Sequence, residues 1–534
     1  MKILFYNWVP FDDAEGRGGG VSVYQKNLIE ALVDQEVQVD YLSSGIEYSA
    51  ETAEPYIRQS TNIFDPQCRS FELVNSPVIS PGHSAFGWND RLFEKGPALT
   101  VFHTLLRNEG PYDIVHFNNL EGIPFTFLEL KDEFPKTLVV VSHHNYFPIC
   151  PQLNLWWRET AHCEDFDQGR SCESCLVHKA PKGEILAAHQ LASLLHNNGI
   201  SATSTLFSTA FTDGSTVRLL AEMVRQKRAI FLQEDSMPVK PGVENSFARR
   251  RRLAIDILNR SVDIHLAVSE RVARVLASYG IKKATCQVSY IGTKHGELLK
   301  KAKKRQHLFY PGELSIAFLG YMRHDKGFFF LLDTLERLPA KVARKLRVKL
   351  AAKFNNDPET VRRIENLRPQ LAALEHINGY KHDDLKRLLA DVDLGVIPVL
   401  WEDNLPQVAL EIMSQGVPLL CSDKGGAQEL GGNPDFVFPA GSHTRFADAI
   451  RRFQSGEVGL SEFWNGALGL RSMQEHIEEL YEIYQNGLQN TVLSRGCLKV
   501  ITKPARPPVV PLTEVELDHL NQTHSLNSWM IHNG

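Results

Sequence analysis

Short apolar runs alternate with segments of helical spacing in two separate series, and that alternation restricts the chain to a parallel α/β architecture. In the first series, residues 2–9 form an apolar run ended by Pro10 and a glycine-rich turn. Residues 21–33 then place Val23, Leu28, Leu32 and Val33 at helical intervals. Strands are predicted at 37–42, 113–117 and 137–141, with a helix after Gly122. A strand at 264–268, a helix at 269–279 and a strand at 287–291 complete the series. The second series predicts strands at 314–319, 348–352, 394–398 and 418–421. Its helices are predicted at 328–337, 358–374, 382–389 and 406–414, and near 443–453 and 473–488. Strand–helix–strand units at this spacing imply parallel sheets covered on both faces. The polar, lysine-rich stretch 296–312 between the series reads as an interdomain linker. A chain of 534 residues is also too long for one ordinary core. The expected organisation is two doubly wound α/β domains, 1–295 and 313–490, followed by a proline-bearing tail at 491–534.

The first domain is interrupted at about 150–255, where the strand pattern is lost. This insertion has helical spacing near 184–195 and 215–228, and it carries Cys150, Cys163, Cys172 and Cys175. The last two form a C-x2-C pair. The four either assemble a tetrahedral zinc site that staples the loop or remain free thiols. Arg249–Arg252 is the one dense basic run, read as a solvated helix face or as a patch for anionic lipid, with peripheral membrane contact, or for polyphosphate. A net charge of −5 gives no reason to expect a nucleic-acid partner. Asn7 cuts the first apolar run short of a signal-peptide core, and no stretch approaches the length of a membrane span. The expected location is the cytoplasm, with the inner face of the membrane as a variant of it. There the eight cysteines would be mostly thiols.

In doubly wound sheets, ligands bind beyond the C-terminal strand ends, where loops meet helix N-termini. Four such places are chemically loaded. In Trp401–Glu411, Pro406 suits a first helical turn, and Glu411 lies about 7.5 Å further along the axis. Val408, Ala409, Ile412 and Met413 form the apolar stripe, which puts Glu411 at its border and, on helix physics alone, makes it a surface glutamate. The free N–H groups of Asn404, Leu405 and Gln407 can receive phosphate oxygens. The loop Gly320–Gly327 carries Arg323 and Lys326 beside a glycine turn, a combination that suits a diphosphate. A unit-charge pair at 4 Å is worth about 4 kcal/mol at an effective dielectric of 20. Gly425-Gly426 follows another strand, where glycines allow close backbone approach. In the N-terminal half, Gly18-Gly19-Gly20 precedes a helix without the lysine of a phosphate loop. His143-His144-Asn145-Tyr146 ends a strand, and His116 and Asn118 end its neighbour.

The spacing of Asp403 and Glu411 resembles the E-x7-E donor-site signature of family 4 glycosyltransferases, with Ser414–Pro418 as a further familiar run. That resemblance implies that Glu411 holds the nucleotide ribose and that Asp403, or Glu402 beside it, contacts the transferred sugar. The loop 320–327 is similar to the family's G-R-x4-K-G, with Tyr321 in the arginine position. Lys326 would then bind the diphosphate, with Arg323 supplying the second charge. By the same resemblance Gly379 and Tyr380 meet the base. Asn404, Leu405, Pro406, Gly425 and Gly426 line the donor pocket, and Gly18, Gly19 and Gly20 approach diphosphate and acceptor. His144 stands where the family has an active-site histidine, in a run usually written H-D-Y, with Asn145 replacing the aspartate.

The implied fold is GT-B, with two Rossmann-like domains facing a cleft and a closing helix at 473–488. The implied reaction moves a sugar from a nucleoside diphosphate sugar to the hydroxyl of a glycan, lipid-linked or small-molecule acceptor. It proceeds with retention and without a catalytic metal, in polysaccharide or glycoconjugate synthesis. A sugar-nucleotide epimerase or phosphorylase, or a non-catalytic sugar-nucleotide-binding scaffold, are the rival readings.

Overall fold

Ten of the strands precede residue 289: β1 Lys2–Tyr6, β2 Gln38–Ser44, β3 Tyr56–Gln59, β4 Cys68–Val74, β5 Ile114–Phe117, β6 Leu138–His143, β7 Trp156–Trp157, β8 Ala161–His162, β9 Ile264–Ala267 and β10 Cys286–Val288. They belong to a computed structural model that describes residues 1–11, 13, 17–60, 68–176, 182–201, 204–212, 244–353 and 357–496. Eight of them form one sheet in the order β10-β9-β6-β5-β1-β2-β4-β3, parallel except for the β3–β4 pair. The second sheet contains β11 Leu314–Gly320, β12 Leu346–Ala352, β13 Ala373–Ile377, β14 Leu394–Ile397, β15 Leu419–Ser422 and β16 Val437–Phe438. Its order is β13-β12-β11-β14-β15-β16, and every pair is parallel. Helices cover the faces, so central strands such as β1, β6 and β14 are buried almost throughout. Truncating Phe5 or Phe117, each without exposed surface, would cost about 3–5 kcal/mol.

Both predicted α/β series are present, with corrections at particular residues. The predicted helix 358–374 stops at Leu367 and gives way to β13. Pro369 explains the break, because it has no N–H with which to continue the helical hydrogen bonds past Arg368, which itself keeps helical geometry (φ −52°, ψ −47°). Strands β3, β4 and β16 were not predicted. After Gly122 the chain forms a 3-10 segment, Phe125–Asp132, and 382–389 splits into a 3-10 turn and the short helix Leu385–Leu388. In the insertion, helix Lys182–Asn197 forms as predicted and β7–β8 adds a small hairpin. The predicted helix 215–228 lies outside the described residues. The 296–312 stretch is anchored: it contains helix Gly296–Lys301, and the Arg305 N–H donates to the Gly416 carbonyl at 2.8 Å.

The basic run is not a uniformly solvated face. Arg249 and Arg252 are exposed and pair with Asp90 and Glu244, whereas Arg250 and Arg251 turn inward. Among the described residues no helix is long and apolar enough to cross a membrane.

Residues Met1–Leu488 form one compact unit. A second unit begins at Gln489, and its described part is the end of helix Met473–Gly496. Within the first unit, that helix returns to the N-terminal sheet. Tyr24 Oη lies 2.7 Å from His476 Nε2, and Tyr484 Oη lies 2.7 Å from His116 Nδ1.

Candidate active site

The order of the second sheet reverses between β11 and β14, so the loops that follow these two strands open side by side. Gly327 makes the first loop's final turn at φ 74°, and a Cβ there would stand 1.8 Å from the Pro398 carbonyl oxygen. The turn delivers Lys326 to the second loop. Its Nζ donates to Asp403 Oδ2 at 2.6 Å and lies 4.9 Å from the centre of the Trp401 ring. Arg323 is placed differently from the sequence expectation. It makes a two-pronged pair with Asp325, at 2.9 and 3.0 Å, and most of its side chain faces solvent. Tyr321, in the arginine position, supplies no positive charge and is 62% exposed.

Helix Gln407–Ser414 begins one residue later than expected, with Pro406 as its extended N-cap (φ −68°, ψ 127°) rather than in its first turn. Glu411 is buried, not the surface residue that helix geometry suggests. Tyr380 Oη donates to Glu411 Oε2 at 2.8 Å, and His382 Nδ1 lies 3.4 Å from Oε1. Gly379, at φ 71°, turns the chain from β13 into Tyr380. Burial and the adjacent Glu411 push the Tyr380 hydroxyl well above its ordinary pKa, which keeps it a donor.

Glu402 and Asp403 have separate partners. Glu402, 1% exposed, accepts from Arg271 Nε at 2.8 Å, from Arg271 Nη2, and from the Gly425 N–H at 3.1 Å. Burial alone would raise its carboxyl; the Arg271 bonds and charge, the Gly425 N–H and His162 bring it below its ordinary range. Asp403 is therefore the carboxylate that meets Lys326. The glycine pair sits on this loop's backbone. A Cβ at Gly425 (φ 70°) would lie 1.9 Å from the Asp403 carbonyl oxygen, and one at Gly426 would lie 2.3 Å from that of Asn404.

The N-terminal domain reaches the same loop. Asn404 Nδ2 donates to the His143 carbonyl at 3.1 Å, and Ser269 Oγ donates to the Asn404 carbonyl at 3.0 Å. A Cβ on Gly20 would stand 2.9 Å from Gln407 Cγ, which brings the start of helix Gly19–Val33, with Gly18 as its N-cap, against the start of the 407–414 helix. Two helix N-termini thus converge, each with unpaired N–H groups and a partial positive charge.

His144 packs 5.1 Å from the Tyr24 ring, with its Nε2 enclosed and without a partner. Burial, then His476, pull its pKa down to about 3. Asn145 has a local explanation: its Nδ2 donates to Glu121 Oε1 at 2.8 Å, a bond an ionised aspartate would not make. Glu121 also accepts from Asn119 Nδ2 and the Gly82 N–H, and burial raises its carboxyl to about 7. His116 is fully packed against Tyr484 and Ser142, so it supports the strand rather than lining a pocket. Glu121, Arg271 and Ser269 were missed because each acts on a loop distant in sequence. Cys150, Cys163, Cys172 and Cys175 are free, and among the described residues no three His, Cys, Asp or Glu side chains stand at metal-ligand spacing.

Comparison with known proteins agrees with this layout. Residues 313–455 match the family described as Glycosyl transferases group 1. An uncharacterized glycosyltransferase of Methanocaldococcus jannaschii is 29% identical over 118 residues, 22% of this chain and 29% of that protein. Spore coat protein SA of Bacillus subtilis is 26% identical over 135 residues, 24% of this chain and 36% of that protein. The chain thus matches about a third of these relatives' lengths. The crystal structure of Anabaena HepE in complex with UDP superposes with a TM-score of 0.51 at 13% identity, covering 91% of this chain and 100% of HepE. The part of the chain that is similar to group 1 glycosyltransferases, 313–455, is thus most of the second half of a two-domain, Rossmann-like GT-B fold.

Proposed function

We propose that this chain is a retaining glycosyltransferase that moves a sugar from a nucleoside diphosphate sugar to an acceptor hydroxyl, in polysaccharide or glycoconjugate synthesis. The observation that carries the reading is the Lys326–Asp403 pair at the switch point of the second sheet, with the Glu411–Tyr380 pair beyond it. Glu411 accepts from the ribose hydroxyls, and Tyr380 fixes its carboxylate. The diphosphate lies between Lys326 and the facing helix starts at Gly19 and Gln407, where positive charge and free N–H groups stabilise it as it departs. Asp403 binds a hydroxyl of the transferred sugar. Its neighbour Glu402 is committed to Arg271.

In the proposed step, the acceptor oxygen bonds to the anomeric carbon on the face from which the diphosphate leaves. The anomeric C–O bond to phosphate breaks, and the acceptor proton passes to a departing phosphate oxygen. The chain supplies charge, position and exclusion of water, and the step calls on no metal. His144, neutral at physiological pH, serves as a hydrogen-bonding group at the sugar end of this cleft, a role supported by the Asn404–His143 bond one residue away.

HepE was solved with UDP, so uridine diphosphate sugars are the first donors to screen. The test incubates the full chain with such donors and acceptor panels, follows nucleoside diphosphate release, and reads the product's anomeric configuration by NMR. Transfer with retention that is lost in Lys326→Ala and Glu411→Ala supports the proposal. Unchanged transfer in both variants, or an inverted product, overturns it; donor binding without turnover favours a scaffold.

A further inference from the structure

The insertion gathers four cysteines and two buried arginines against the loop that carries His144. Cys150 follows that loop, with its N–H donating to the Tyr146 carbonyl at 2.7 Å. Cys163 follows β8, and its N–H donates to the Leu155 carbonyl at 2.8 Å. Cys172 and Cys175 close a single turn, with the Cys175 N–H on the Cys172 carbonyl at 3.1 Å. Gln152, two residues after Cys150, contacts Cys175 Sγ at 3.0 Å, and the Arg158 N–H of the β7–β8 hairpin donates to the same sulfur at 3.5 Å. Cys150, Cys172 and Cys175 are buried, and Cys163 is half-buried.

Arg250 and Arg251 border this cluster from helix Ser246–Ser261 and are 1% and 7% exposed. Arg250 donates to the carbonyls of Pro148 and Phe147, at 3.2 and 2.6 Å, and Arg251 Nε donates to that of Ile149 at 2.9 Å. Arg251 Nη1 is buried without an acceptor, and its guanidinium carbon lies 3.4 Å from the Phe166 ring centre. Neither arginine has a carboxylate partner among the described residues. Guanidinium groups stay charged in proteins, so two positive charges stand inside the domain with four neutral thiols beside them. Such an imbalance is costly to maintain.

We propose that Cys150, Cys163, Cys172 and Cys175 bind one zinc ion as thiolates, in a structural site whose negative charge is balanced by Arg250 and Arg251. Four thiolates on a divalent ion carry a net charge of about −2, which matches the two guanidiniums. Binding converts four thiols and one Zn²⁺ to the tetrathiolate complex and releases four protons. Cys175 Sγ donates to Gln152 Oε1 and Cys163 Sγ to the Asp165 carbonyl (3.9 Å), and no three of the sulfurs stand at ligand spacing. Deprotonation ends both donations and frees the sulfurs to turn onto the ion. The Arg158 N–H already points at Cys175 Sγ, a donor that a thiolate ligand retains. The metal would fasten the insertion beneath the His144–Asn145 loop and take no part in sugar transfer.

The test is metal analysis of the purified full chain, grown with zinc and iron both present and dialysed against a weak chelator. One zinc per chain is expected, released to a colorimetric dye as a mercurial titrates the four thiols. Cys175→Ser should lose the ion to the chelator, and Arg251→Met should weaken binding about 10-fold while leaving the far-UV spectrum unchanged. Zinc-free wild-type chain, a disulfide among the four cysteines by peptide mapping, or iron in place of zinc would each overturn the proposal. The wild-type measurement stands even if a variant fails to fold.

Discussion

Lys326 Nζ lies 2.6 Å from Asp403 Oδ2, joining the loops that follow two strands adjacent in the sheet but separated in sequence by β12 and β13. The pair fixes a cation where a leaving diphosphate would develop charge, and Arg323, which the sequence offered as a second one, is held by Asp325 instead. Lys326→Ala is expected to lower kcat by about 10²–10³-fold, the usual range for loss of one preorganised charge donor. Asp403→Asn keeps the size of the side chain and removes the ion pair. It should lower kcat less than Lys326→Ala does. Steady-state kinetics on both variants check the order, and a Lys326→Ala enzyme with normal kcat would remove the lysine from the mechanism.

The Tyr380–Glu411 bond predicts a different signature. If Glu411 holds the ribose in ground and transition states alike, its loss raises KM and leaves kcat nearly unchanged. Glu411→Ala should weaken binding of the nucleoside diphosphate. Tyr380→Phe, which deletes one hydrogen bond to a charged group worth about 1.5–3 kcal/mol, should weaken it about 10-fold or more. Titration calorimetry with the diphosphate separates the two sizes of effect. A kcat defect at constant affinity would place Glu411 at the reacting sugar instead.

Arg271 crosses from the N-terminal domain to the buried Glu402. Arg271→Met removes the two-pronged partner of that enclosed carboxylate, leaving it the Gly425 N–H and the more distant Lys424 at 3.8 Å, at a cost of about 3 kcal/mol. The figure is taken low in its range because Arg271 keeps 28% of its side chain in water. Adding Glu402→Gln should recover part of the loss, since it removes the stranded charge. The depressed Glu402 pKa also has a definite sign: its stabilisation is present above the unfolded glutamate pKa of about 4.3 and is lost as pH falls through the lower folded value. Thermal unfolding of both variants at neutral pH, and of the wild type in acid, tests this.

How much of this was legible in the sequence varies from residue to residue. The parallel sheets and the loops that follow their strands are legible in local patterns, whereas the Asp403–Glu411 spacing carries only a family resemblance. Glu411 itself was misread by helix geometry, because the partner that buries it, Tyr380, comes from another strand's loop. Glycines 425 and 426 were read as admitting a ligand close to the backbone, whereas the group that stands against them is the backbone of residues 403–404. Arg250 and Arg251 resemble a solvated run because adjacency in sequence says nothing about which residues a helix turns inward. Asn145 looked like a defect in a motif until Glu121, 24 positions earlier, supplied its acceptor.

His144 carries a kinetic prediction. With its pKa near 3 it stays neutral across the working pH range, so it acts as a hydrogen-bonding group and not as a titrating acid or base. His144→Ala should reduce kcat, whereas the pH–rate profile of the wild type should show no limb near 6.5 that the variant abolishes.

Buried histidines near the N-terminal sheet set the response of the whole fold to acid. Burial lowers His116 to about 3 and His265 to about 4, and takes His143 well below its ordinary value. His143 Nε2 and His265 Nδ1 are 3.1 Å apart, so one must donate to the other, and protonating both would destroy that bond. In the unfolded chain these rings take up protons near pH 6.5; in the folded chain they do not. The unfolded state therefore binds more protons between the folded pKa values and about 6.5, and stability falls as pH falls through that window. Each such histidine withdraws up to about 1.4 kcal/mol per pH unit below 6.5. The melting temperature should accordingly drop steeply from pH 7 to pH 5. His265→Gln removes one of these groups while leaving an amide able to bond His143, so its melting temperature should change less over the same interval. A wild-type melting temperature that stayed level from pH 7 to pH 5 would mean that these rings accept protons in the folded protein, contrary to their burial.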